Sequence, residues 1–63
     1  MPMTSREMLQ RLRANGFVEI NSNGSHRKLR NLETGRQVIV PVHAKDLKKG
    51  TEQQILKDAG LCD

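Results

Sequence analysis

Residues 23–31 read NGSHRKLRN, and they place one of the two histidines in a row of cations. Alternation along an extended chain sends His26, Lys28 and Arg30 to one face, and Ser25, Arg27, Leu29 and Asn31 to the other. Leu29 is apolar and belongs against a core, so the histidine face meets solvent. Imidazole as a group exchanges protons near neutral pH, and neighbouring cations can hold a phosphate against it. That combination suits cleavage of RNA without a metal. A neutral imidazole removes the 2′-hydroxyl proton, the oxygen attacks the adjacent phosphorus, and the cations offset charge developing on the phosphoryl oxygens. The plainer reading is a surface histidine on a basic strand.

A second candidate lies at Lys48-Lys49-Gly50-Thr51. Two lysines stand just before a helix whose free amides and positive dipole end favour an anion, and Gly50 lets a phosphate approach the backbone. An ordinary solvated cap is the competing reading. Metal chemistry is not expected: the spacing of His26, His43 and Cys62 matches no zinc pattern, and a fourth ligand is missing. Nothing calls for a small-molecule cofactor. Ser25 and His26 are neighbours that an extended strand would point to opposite faces, so they are not expected to form a nucleophilic dyad.

These residues need elements to position them. Thr4-Ser5-Arg6-Glu7 has capping-box spacing, Met8, Leu9 and Leu12 follow at helical spacing, and Asn15-Gly16 supplies a left-handed stop, which predicts a helix over 5–14. A strand is expected over 17–20, ended by turn residues 21–24, with the alternating strand over 25–31 after it. Glu33-Thr34-Gly35 turns the chain into a β-branched strand over 36–40, which Pro41 ends. Residues 42–50 read as a loop. Thr51 to Gln54 has the spacing of a second capping box, opening a helix through Ile55, Leu56 and Ala59 that Gly60 closes. The expected fold is α+β, a two-layer α-β-β-β-α sandwich with a three-stranded antiparallel sheet and both helices on one face.

The 63 residues make one domain over 1–63, with a thin core, since chains of this size bury only about 60% of their unfolded surface. Eleven Lys+Arg against seven Asp+Glu give a net charge of +4, which suggests a polyanionic partner. Phe17 is the only aromatic residue, so aromatic stacking cannot be the main hold on single strands. One cysteine excludes an internal disulfide, and no apolar run reaches membrane-spanning length. The expected compartment is the cytoplasm, with no membrane partner.

The stretches "ANGF", "NGSH", "VIVPVH" and "LKKGTEQQILKDAGL" cover nearly the whole chain in order. Together they resemble the HicA-type (YcfA-like) mRNA interferase toxins of bacterial toxin–antitoxin systems. The resemblance implies a double-stranded-RNA-binding-domain-like fold, endoribonuclease activity on mRNA with His26 as the essential histidine, and a HicB-type antitoxin partner. It also implies that Lys48 and Lys49 meet RNA phosphates, beside Lys28 and Arg30 on the histidine face. Many relatives carry an aromatic residue or further histidines in the second strand, where this chain has Lys28, Leu29 and Arg30. The second proton-transfer group is therefore open between Lys28, His43 and a bound water. A non-catalytic RNA-binding module of the same fold, or a protein-interaction domain, would share these features.

Overall fold

The computed structural model describes residues 3–42 and 46–61, in the order α1 (Ser5–Ala14), β1 (Phe17–Asn23), β2 (His26–Asn31), β3 (Gln37–Pro41) and α2 (Lys49–Ala59). Helix α1 begins with a closed capping box. The Thr4 hydroxyl accepts from the Glu7 amide, and the Glu7 carboxylate accepts from the Thr4 amide, both at 3.1 Å. It stops at Asn15 because Gly16 turns the chain at φ 92°, a conformation a Cβ disfavours. The expected boundaries, 5–14, are those observed.

The second helix departs from expectation. It starts at Lys49, with Lys48 as an extended N-cap that makes no side-chain capping bond. Thr51 is therefore its third residue, and the Thr51–Gln54 box does not open it. The cause lies upstream, in the segment expected to be plain loop. Leu47 is buried in the core, its amide donates to the Met3 carbonyl at 2.9 Å, and Asp46 bridges to Thr4. That anchor delivers the chain to helical geometry three residues early, with the N-cap at Lys48 instead of Thr51. The helix ends as the sequence suggests: Gly60 adopts φ 75°, and the Leu61 amide reaches back to the Leu56 carbonyl at 2.8 Å.

The sheet runs β1-β2-β3 and is antiparallel throughout. Phe17, Leu29, Val38 and Val40 point to one face, where they share a single buried cluster with Met8 and Leu12 of α1 and Ile55 and Leu56 of α2. The opposite face carries exposed Val18, His26, Arg30 and Ile39 and half-buried Lys28. Both helices thus lie on one side, as expected, and the histidine side is open.

Strand limits differ in two places. β1 runs to Asn23, through the expected turn at 21–24, and β2 starts at His26 rather than Ser25. The turn shrinks to Gly24 and Ser25, with glycine at the first central position and φ 60°, a match for a two-residue hairpin. β3 is displaced by one residue, taking in Pro41 as its last member, where an edge strand tolerates the missing N–H. Asn31 locks the other end of β2. Only 6% exposed, it accepts from the Glu33 and Thr34 amides at 2.8 and 3.1 Å and donates to the Asn15 carbonyl at 3.1 Å.

Candidate active site

His26 opens β2 on the uncovered face, with Asn23 and Pro41 as its register partners on either side. Its surroundings are held from three directions. The Ser5 hydroxyl, buried at the start of α1, donates to the Pro41 carbonyl at 2.7 Å. The Val42 amide donates to the Ser25 carbonyl at 2.6 Å, and the tight turn fixes Asn23. The imidazole itself stays exposed.

One expectation is corrected here. The Ser25 hydroxyl lies 3.5 Å from His26 Nδ1, the long limit of a hydrogen bond. Alternation does not separate the two because Ser25 belongs to the turn, not to the strand. The contact can bias the ring's orientation. It is too long to activate the serine as a nucleophile, which would need a bond nearer 2.6–3.2 Å.

His26 lines an open hollow of about 270 Å³ with Asn21, Asn23, Lys28 and Ile39. A second hollow, about 600 Å³, shares Lys28 and Ile39 with the first and extends past Gln37 to Gly50, Thr51 and Gln54 at the start of α2. The two hollows adjoin at Lys28 and Ile39, and the second is also lined by Asp58. Lys28 stands at their junction. Lys48 and Lys49 are exposed at the N-cap and first residue of α2, beside Gly50. Arg30 is exposed on the same face but lies further along β2, between Val18 and Gln37, and lines neither hollow.

Two of the described cations have a carboxylate partner. Beneath the sheet, Glu19 pairs with Arg27 at 3.5 Å and Arg13 at 3.8 Å. Among the described residues, Lys28, Arg30, Lys48 and Lys49 take part in no ion pair. Among the described residues, Arg6, Arg11, Arg36 and Lys57 take part in none either, so what marks Lys28 and Arg30 is that they share the open face with the imidazole. A third hollow, between α1 and the sheet, is lined by Arg6, Gln10, Arg13, Arg27 and Val42 among others, and Glu19 offsets part of its charge.

Sequence reasoning missed Asn21, Asn23 and Ile39 as site residues, taking the asparagines for turn formers. The only local hint is their spacing of two, which a strand would put on a common face. Of the residues considered for zinc, His43 and Cys62 lie outside the described residues. Among the described residues, no three His, Cys, Asp or Glu side chains gather to hold a metal. Among the described residues, no helix is long and apolar enough to cross a membrane.

No curated protein matches the chain. The family model for the HicA toxin of bacterial toxin–antitoxin systems matches residues 5–61, a span that takes in both helices, all three strands and the His26 hollow. The chain belongs to the HicA toxin family.

Proposed function

We propose that this chain is a metal-independent endoribonuclease, an mRNA interferase that blocks translation in the cytoplasm until a HicB-type antitoxin covers its site. One observation carries the reading: an exposed imidazole shares a hollow with an unpaired lysine, and an adjoining hollow reaches the first turn of α2. His26 takes the proton from a ribose 2′-hydroxyl, and that oxygen attacks the adjacent phosphorus. The 5′-oxygen leaves with a proton from a second donor, for which Lys28, His43 and water are the candidates. Lys28 and Arg30 attract the phosphate backbone on the sheet, and Lys48 and Lys49 hold it at the helix. The products are a 2′,3′-cyclic phosphate and a 5′-hydroxyl end.

Removing a general acid–base group typically costs about 10²–10⁴-fold in rate. His26→Ala is therefore expected to lower RNA cleavage by that factor and to abolish growth arrest, with an unchanged melting curve because the side chain is exposed. The assay is digestion of a defined RNA in EDTA by wild type and variant, with end-group analysis of the fragments. Cleavage by the folded variant at the wild-type rate defeats the proposal. RNA that is bound but never shortened by wild type points instead to a binding module.

A further inference from the structure

Strand β1 carries one residue more than the stretch of β2 it faces. Its register runs Val18↔Arg30 and Glu19↔Leu29, then Asn21↔Lys28 and Asn23↔His26, leaving Ile20 as a bulge. Regular alternation from buried Phe17 would send Asn21 and Asn23 to the helix-covered face. The extra residue reverses the phase. Both carboxamides emerge on the open face and line the hollow that holds the imidazole. Among the described residues, neither side chain makes a hydrogen bond within the protein.

Proton transfer and phosphate attraction account for His26 and Lys28, but not for two uncharged groups beside them. A carboxamide presents a donor and an acceptor side by side, which matches the edge of a nucleobase. A phosphoryl oxygen would use the donor alone. The remaining wall of the hollow is Ile39, apolar and 56% exposed, against which the flat face of a base can rest. No aromatic side chain is offered for that purpose, since Phe17 is 1% exposed. A base within a duplex has its Watson–Crick edge occupied and its faces stacked, so only an unpaired base fits this use.

We infer that Asn21 and Asn23 form a base-reading subsite, which takes one unpaired nucleobase next to the scissile phosphate and sets the cleavage preference. The inference rests on the ribonuclease reading above and narrows its substrate to RNA that is single-stranded at the cut. The bulge at Ile20 is the device that turns these two specificity-determining residues toward the imidazole.

The test is cleavage of a single-stranded RNA pool randomised around a central position, with fragment ends sequenced. Wild type, Asn21→Ala, Asn23→Ala, Asn21→Asp and His26→Ala are compared, after thermal melts show each folded. Wild type is expected to favour one base or base class at one position beside the cut by roughly tenfold or more. Each alanine variant cuts the favoured sites more slowly and loses the preference. Asn21→Asp, which replaces the amide donor by an acceptor, changes which base is favoured. Annealing a complementary strand slows cleavage at least about tenfold. His26-dependent cleavage with no base preference, or with a preference that both alanine variants retain, overturns the subsite and leaves the ribonuclease reading standing. Absence of cleavage by wild type, or equal cleavage by His26→Ala, removes the ribonuclease reading and the subsite with it.

Discussion

Asn31 is the residue whose loss should tell most about what holds the site in register. Its side chain makes three hydrogen bonds, to the amides of Glu33 and Thr34 and to the carbonyl of Asn15, so it joins the β2–β3 turn to the link between α1 and β1. Asn31→Ala removes all three. Each contributes about 1 kcal/mol net, and the partner residues are exposed enough for water to replace the lost bonds, so the cost is about 3 kcal/mol. A core this small supplies only about 3–5 kcal/mol. The variant should therefore be close to unfolding at room temperature, with a melting midpoint lower by about 12–24 °C. Urea denaturation followed by circular dichroism measures the change. Asn31→Asp is the informative comparison. It keeps both acceptor bonds, loses the donation to Asn15, and sets a carboxylate against that carbonyl, for a cost of about 1–2 kcal/mol. Equal costs for the two variants, or a cost below about 1 kcal/mol for alanine, would refute the assignment. The consequence for function is geometric: a one-residue slip of β2 would turn His26 from the open face into the core side.

Three further outcomes follow from the same structure. Replacing Lys48 and Lys49 together by alanine should weaken RNA binding with no change in melting temperature, and should reduce the log–log salt slope by about 1.4 for two lost phosphate contacts on a single strand; filter binding across a salt series measures both. Thr4→Ala should cost about 1 kcal/mol through its lost cap, whereas Thr51→Ala, inside α2, should fall within about 0.5 kcal/mol of wild type in the same denaturation assay. Leu29→Ala, at a fully buried position, should cost about 2–5 kcal/mol and abolish activity by unfolding, which circular dichroism distinguishes from a site effect.

What could be read from the sequence was what depends on near neighbours. The α1 box closes within four residues, and the side of β2 that carries His26 follows from alternation with Leu29 three positions away. Both survive in the structure because no distant contact opposes them. The start of α2 is not legible locally because the preference of Thr51 for a cap competes with Asp46 and Leu47, whose partners Thr4 and Met3 lie more than forty positions earlier. Ser25 was assigned to the strand because its composition fits either state, and only pairing with β1 decides where the turn begins. The bulge at Ile20 is of the same kind. Asn21-Ser22-Asn23-Gly24 has the composition of a turn, yet Ser22 and Asn23 pair with Arg27 and His26 once the hairpin closes at Gly24. A register is a property of two strands, so neither strand's own sequence states it.

Net charge shows a similar limit. A balance of +4 fits a polyanion-binding protein and equally a domain that stays soluble by repulsion. The neighbours of the cations separate these readings. Glu19 lies on the helix side and takes up Arg13 and Arg27, while on the open face neither Lys28 nor Arg30 takes part in an ion pair among the described residues. Solubility alone would be served by any arrangement. What singles out the open face is the company its cations keep: unpaired Lys28 and Arg30 share it with an exposed imidazole and two unengaged carboxamides, so a polynucleotide strand drawn to them brings a ribose hydroxyl to the base that removes its proton.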